Sequence, residues 1–351
     1  MKPEVTIIIP TFNRADLIGE TLNSVLRQDF HDWECIVVDD GSTDVTIDVV
    51  QKFVLTDSRI FLYKRNDSIK GAARCRNIGI EKAQGKYIIF LDSDDLLATY
   101  CLSQRLQYIK NTAFDFVVTP MLYFNCQIGD DNRLVNYRSK EDDLTRFLSY
   151  DFPWSITGPT WRKQSLKKTD GFDEDSIGGG QDFDLHIKAL AKDFNYLVFN
   201  DALPDCFYRR HNQGRISSVV SIKKTKAKSR LLLKAIKRLE EAGKLNQLHL
   251  HRMAGVYLQQ VLLPLAMNDK REFDEHLKVA KNVFNLTKFV ITVFEYYILV
   301  HKKILRSSPL FDRLLRRILL SITPGSFLPA SRNSVRMGEE RLKLVCRKNN
   351  G

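Results

Sequence analysis

A cysteine framework is absent from this 351-residue sequence. Its six cysteines (Cys35, Cys75, Cys101, Cys126, Cys206 and Cys346) are scattered, with no C-x-x-C pair and no zinc-like cluster. That excludes a thiolate metal site read from spacing and favours free thiols in a reducing cytoplasm. A long apolar run is missing too. The longest, Phe289 to Val300, has 12 residues with Glu295 inside it, whereas a bilayer-spanning helix needs about 20. The N-terminus passes from Met-Lys-Pro straight into an apolar stretch, without a signal-peptide pattern. Pro10–Arg14, after the first apolar stretch, contains no glycine, which argues against the glycine-rich, lysine-containing loop of a nucleotidyltransferase. There is no internal repeat and no low-complexity tract. Lys223, Lys224, Lys226 and Lys228 cluster without interleaved aromatics or a recognised binding motif, so nucleic acid is not an expected partner.

What is present is an uneven charge. Residues 221–351 carry a net +17 and residues 1–220 a net −5, within a total of +12. The acidic portion is suited to gathering carboxylates around a cation, and the basic portion has helical patterning. In the first 120 residues strand and helix signals alternate, which predicts an α/β fold with a mostly parallel sheet covered by helices. Val5–Pro10, Glu34–Val38, Ile60–Lys64, Tyr87–Leu91 and Phe114–Thr119 read as strands. Leu17–Leu26, a stretch through Val50 capped by Ser42 or Asp44, and Ala72–Ala83 read as helices. Residues 120–150 read as a connection or edge hairpin, 181–193 as a helix, and Tyr196–Phe199 as a strand. After about residue 222 only helical signals remain.

Two acidic clusters follow two of these strands directly: Asp39-Asp40 and Asp92-Ser93-Asp94-Asp95. In an open parallel sheet the carboxyl ends of the strands form the ligand crevice, so the clusters are expected to converge although 51 residues lie between them. Gathered carboxylates repel one another unless something positive sits between them. Mg²⁺, bound by one or two carboxylates plus phosphate oxygens, meets that need. Turns and helix caps are the alternative use of such Asp-rich stretches.

The blocks Pro10-Thr11-Phe12-Asn13-Arg14, Val37-Val38-Asp39-Asp40-Gly41-Ser42-Thr43-Asp44, Ala73-Arg74-Cys75-Arg76-Asn77-Ile78-Gly79 and Gly85-Lys86-Tyr87-Ile88-Ile89-Phe90-Leu91-Asp92-Ser93-Asp94-Asp95 together resemble the family-2 glycosyltransferases. These are inverting enzymes of the GT-A fold that use nucleotide-sugar donors. The resemblance implies a catalytic domain over residues 1–220 and a basic helical region over 221–351. It implies that Pro10, Thr11, Asn13 and Arg14 contact the nucleoside, that Asp39 or Asp40 accepts a hydrogen bond from the base, and that Arg76 faces the diphosphate. Asp92-Ser93-Asp94 matches the family's D-x-D signature, with Asp94 and Asp92 as ligands of Mg²⁺ or Mn²⁺ and Asp92-Ser93 beside the donor.

The segment Gly178-Gly179-Gly180-Gln181-Asp182-Phe183-Asp184-Leu185-His186 matches the family's base-bearing loop and helix, which makes Asp182 the general base. Gln181 stands where glutamate is common and His186 where tryptophan is common. Trp154 and Trp161 have two readings, stacking on a sugar or packing in the core. Arg209-Arg210-His211 with Arg215-Ile216-Ser217 resembles an element near the donor diphosphate, and His211 is the second candidate base. Asp184 is expected to face away from the reaction. A Q-x-x-R-W element, usual in processive synthases, is absent. The reading is a hexosyltransferase-like enzyme that moves one sugar, from a UDP-sugar, to a glycan or lipid-linked glycan of the bacterial cell surface. It would be cytoplasmic, at the inner face of the plasma membrane. A non-catalytic nucleotide-sugar binder is the alternative. From Leu286 to Leu320, apolar residues alternate with Lys302, Lys303, Arg306, Arg313, Arg316 and Arg317. That pattern suits either a helix lying on anionic lipid or a packed helical subdomain. A chain ending near residue 285 is expected to stay soluble.

Overall fold

A computed structural model describes residues 2–136, 139–176, 180–210, 221–262, 265, 269–284, 291–292, 295–296 and 335–350. Among the described residues the elements begin with β1 (Val5–Thr11), α1 (Ile18–Leu26), β2 (Trp33–Asp39), α2 (Thr46–Thr56), β3 (Ile60–Lys64), α3 (Ala72–Lys82) and β4 (Tyr87–Phe90). There follow β5 (Leu96–Leu97), α4 (Cys101–Ile109), β6 (Phe116–Val118), β7 (Met121–Phe124), β8 (Leu134–Val135), α5 (Asp143–Leu148), β9 (Pro159–Arg162) and α6 (Lys163–Lys167). The order continues with α7 (Gln181–Ala191), β10 (Tyr196–Val198), β11 (Cys206–Arg209), α8 (Ile222–Glu241) and α9 (Gln247–Tyr257). Helices Lys270–Phe284 and Glu339–Asn350 come last.

The main sheet has seven strands in the order β10-β6-β9-β4-β1-β2-β3. β4, β1, β2 and β3 run parallel, and β9 is antiparallel to both of its neighbours. A parallel sheet covered on both faces needs apolar residues throughout its strands, and every residue of β1, β2 and β4 is buried. Alternation still sorts them. Ile8, Ile36, Val38, Ile88 and Phe90 join one core, and Val5, Ile7, Ile9, Cys35, Val37, Tyr87 and Ile89 the other. The first core also takes residues of α7, α8, α9 and Lys270–Phe284, so these C-terminal helices share the core of the sheet.

The chain leaves β4 through Asp92–Asp95 and enters β5, the edge of a second sheet ordered β5-β11-β7-β8. Residues 120–150, expected as a connection or edge hairpin, contain the antiparallel pair β7/β8 of this sheet. The helix after β2 begins at Thr46 and not at the expected caps. The Asp44 carboxylate instead accepts the Thr46 N–H at 3.0 Å and the Ala15 N–H at 3.3 Å. Helix Glu339–Asn350 returns to the second sheet, where Met337 and Val345 pack with Leu96, Ala98, Leu122, Phe124 and Phe207. The Thr99 hydroxyl donates to the Lys348 carbonyl at 3.0 Å. All six cysteines are free thiols.

Candidate active site

Parallel register puts the carboxyl ends of β1, β2 and β4 on one edge, with Thr11 beside Asp39 and Ile8 beside Phe90. The loop after β1 is fixed from β2. Asn13 adopts the left-handed conformation (φ 50°) that asparagine tolerates, and its Oδ1 accepts the Thr43 N–H at 2.8 Å. The Asn13 N–H donates to Ser42 Oγ, and the Arg14 N–H to Thr46 Oγ1. Pro10 and Thr11 close β1 and are buried.

The two aspartates at the end of β2 differ. Asp40 holds structure: it receives Arg65 Nε at 2.8 Å, and the Gly71 N–H reaches both of its oxygens. Asp39 receives the N–H groups of Gly41 and Ser42 on Oδ2, while its buried Oδ1 has no partner. A buried orphan acceptor is costly unless a ligand donor completes it.

Helix α3 lies close against β1. A Cβ at Gly79 would fall 2.3 Å from Ile8 Cγ2, so glycine permits that approach. One turn earlier on α3, Arg76 is buried. Its Nη2 donates to Asp92 Oδ1 at 2.6 Å, its Nη1 donates to Gln181 Oε1, and its buried Nε has no partner. Beyond Asp92, Ser93 is buried and Asp94 Oδ2 stands 3.8 Å from Arg14 Nε. Arg209 braces this loop, its backbone N–H donating to Asp95 Oδ1 and its Nε to the Asp94 carbonyl, both at 3.0 Å. Burial, with Asp94 and Asp92 nearby, pushes the Asp95 carboxyl well above the usual range.

Asp92 and Asp94 are all-oxygen donors on one short loop, and no described group of three or more His, Cys, Asp or Glu side chains could cage a metal alone. Such a pair fits Mg²⁺ or Mn²⁺ whose coordination phosphate oxygens complete.

Helix α7 opens at Gly180, whose φ of 87° favours glycine. The candidate base Asp182 sits in its first turn, partly exposed, and the Ile156 N–H donates to its Oδ2 at 3.2 Å. Desolvation raises its pKa to about 6, opposed by Arg76 and assisted by Asp92. The structure thus brings Asp92, Arg76, Gln181 and Asp182 together from β4, α3 and α7.

Other candidates lie elsewhere. Trp154 and Trp161 are fully buried around Phe116, so packing, and not sugar stacking, is their role. His186 stacks on Phe147 and Trp161, edge-on to Trp154, and burial lowers its pKa to about 3. Asp184, expected to face away, is buried and receives Arg238 Nη1, with Lys188 Nζ at 2.8 Å. Gly178, Gly179, His211, Arg215, Ile216 and Ser217 lie outside the described residues. The Gln181 link to Arg76 and the bracing by Arg209 were not legible, because 105 and 115 residues separate the bonded partners.

The sequence profile of glycosyl transferase family 2 matches residues 6–169. The chain is 32% identical over 215 residues to a putative teichuronic acid biosynthesis glycosyltransferase, TuaG, of Bacillus subtilis, covering 61% of this chain and 81% of that one. It is 39% identical over 183 residues to the Campylobacter jejuni GalNAc(5)-diNAcBac-PP-undecaprenol beta-1,3-glucosyltransferase, covering 50% of this chain and 57% of that protein, less than two thirds of its length. A crystal structure of S. aureus TarS in complex with UDP-GlcNAc shares the fold, with a TM-score of 0.61, 22% identity and 80% coverage of both chains.

Proposed function

This chain belongs to glycosyl transferase family 2 and is a glycosyltransferase, and from that premise we propose that it moves one sugar, with inversion, from a UDP-sugar to a hydroxyl of a glycan or lipid-linked glycan in cell-surface polysaccharide synthesis. The observation that carries the reading is the meeting of a carboxylate raised to about pKa 6 with a buried, partly unpartnered guanidinium beside the D-x-D loop. The Campylobacter relative's undecaprenol-linked acceptor and the UDP-GlcNAc bound to TarS support the choice of substrates.

In this mechanism Asp39 offers Oδ1 to the base of the nucleotide, while the loop Pro10–Arg14 borders the nucleoside. Arg76 and Arg14 face the diphosphate. Asp94 and Asp92 would hold a Mg²⁺ or Mn²⁺, which would supply positive charge beside the departing diphosphate. The acceptor oxygen attacks the anomeric carbon from the side opposite the leaving group, and Asp182 Oδ takes its proton. A new glycosidic C–O bond forms, and the C–O bond to the β-phosphate breaks, its electron pair leaving with the nucleoside diphosphate. A carboxylate with a pKa near 6 is deprotonated at neutral pH yet basic enough to help.

Residues 286–320, whose basic side chains are named above, lie almost wholly outside the described residues. They support docking on the anionic inner face of the membrane, at about 1 kcal/mol per well-placed basic side chain. No described helix is long and apolar enough to cross a membrane.

The test is a panel of nucleotide sugars, with and without Mg²⁺ or Mn²⁺. UDP-sugars are expected to raise Tm and to be hydrolysed slowly only with metal, and Asp94→Ala should abolish both effects. Indifference to every nucleotide sugar contradicts the reading. Sedimentation with anionic but not neutral vesicles, reversed by salt, checks the membrane surface.

A further inference from the structure

We propose that Lys228, with Lys224 one turn before it, forms an anion subsite on the acceptor side that takes the diphosphate joining an acceptor glycan to its lipid carrier; this rests on the glycosyl-transfer reading above and selects the lipid-linked acceptor. The two are the half-buried members of the cluster Lys223, Lys224, Lys226 and Lys228, while Lys223 and Lys226 are exposed. Lys226 pairs with Glu272 at 2.6 Å. Further along α8, Lys234 and Arg238 each meet an aspartate. Lys228 differs. Its Nζ donates to the neutral Gln260 Oε1 at 3.0 Å, and no carboxylate among the described residues pairs with it. Gln260 lies in the π-helical turn Leu258–Leu262, a kind of turn frequent at functional sites. Burial, with Lys224 adding like charge, pulls the Lys228 ammonium below its ordinary range. A desolvated cation that meets only an amide costs stability until an anion completes it.

Position decides which substrate the anion belongs to. Lys224, Lys228 and Leu231 follow one another at helical spacing on one face of α8, and a Cβ at Gly180 would fall 2.6 Å from Leu231 Cδ1. Gly180 opens α7, two residues before Asp182. Lys228 is therefore about 4.5 Å of helix rise from the contact that holds the base-bearing segment. In the mechanism above the donor diphosphate has Arg76, Arg14 and the D-x-D pair, and the base serves the acceptor. Lys224 and Lys228 stand about 6 Å apart along the helix, a spacing that suits two linked phosphates better than one carboxylate.

The test is calorimetry on the full chain saturated with UDP and Mg²⁺, so that the donor side is filled, titrated with farnesyl diphosphate and, as a control for the tail alone, farnesol in the same detergent. Lys228→Gln is expected to weaken farnesyl diphosphate binding about tenfold, as loss of one close charge at a partly buried site does, with UDP and farnesol unchanged. It should also raise Tm in the absence of ligand, because the desolvated charge is gone. Lys226→Gln, which removes an exposed lysine, should bind farnesyl diphosphate as wild type does. Undiminished affinity in Lys228→Gln, an equal loss in Lys226→Gln, or a lowered Tm in Lys228→Gln would overturn the proposal, the last by making the lysine structural. Phosphatidylglycerol vesicles separate the two sources of phosphate. If Lys228→Gln weakens binding to vesicles and not to farnesyl diphosphate, the lysine serves the membrane surface and the acceptor assignment falls. Wild-type protein that binds UDP but not farnesyl diphosphate would contradict this inference alone, whereas protein that binds no nucleotide would contradict the donor reading, and this inference with it.

Discussion

Asp182 carries both a kinetic and a thermodynamic consequence of the desolvation of its carboxyl. With a pKa raised to about 6, kcat should fall on an acid limb centred near pH 6, because only the carboxylate accepts the proton. The fold favours the protonated form, so the sign for stability is the reverse. Its contribution is fully present below the ordinary carboxylate pKa and is lost as pH rises through about 6. Asp182→Asn, an amide that never ionises, should therefore raise Tm relative to wild type at pH 8 and leave it nearly equal at pH 4. A variant less stable than wild type at pH 8 would show that Asp182 is better solvated than its surroundings imply. His186, four residues along, is held neutral among aromatic rings and offers no competing titration near neutral pH.

At the scale of elements, α8 clamps the segment that carries the base. Arg230, Lys234 and Arg238 lie four residues apart on one face and meet Asp175, Asp173 and Asp184. Their acidic partners flank the helix start at Gly180, where Leu231 packs close. The Arg230–Asp175 pair is largely exposed and contributes little. Asp173 and Asp184 are nearly buried, and removing one partner of such a pair leaves an uncompensated charge. Lys234→Glu should lower kcat about tenfold with donor KM unchanged, and Lys234→Glu with Asp173→Lys should recover much of it, a coupling of the size that double-mutant cycles find between neighbours. No recovery in the double variant would mean the pair does not act as a unit. Arg230, Lys234 and Arg238 of α8 thus serve as intramolecular partners. Likewise helix Glu339–Asn350 covers the apolar face of the second sheet, which revises the expectation for a chain ending at residue 285: Leu96, Phe124 and Phe207 would lose part of their cover.

Across the whole molecule, the succession of the first strands along the chain and the carboxylates at their ends were legible because each is a local signal. An apolar run such as Ile7–Ile9 ends at a loop, and Asp92 follows Phe90 almost directly. The seven-stranded order was not legible, since β9 enters the sheet antiparallel from a segment with no strand periodicity. Nor was the second sheet, whose strands β5 and β8 have two residues each. The site follows the same division: Asp182 and the D-x-D pair stand in short motifs, whereas the Arg76–Gln181 link and the burial of Asp184 exist only through tertiary packing. The central claim, that a single carboxylate on α7 completes an inverting transfer, rests on Asp182. The direct measurement is single-turnover sugar transfer by Asp182→Asn at saturating donor, with donor affinity measured separately on the same protein. The account predicts a rate loss of about 10²–10⁴-fold with donor affinity within a factor of about two, the pattern of an interaction made in the transition state. Transfer at the wild-type rate would contradict it and send the search for the base to His211.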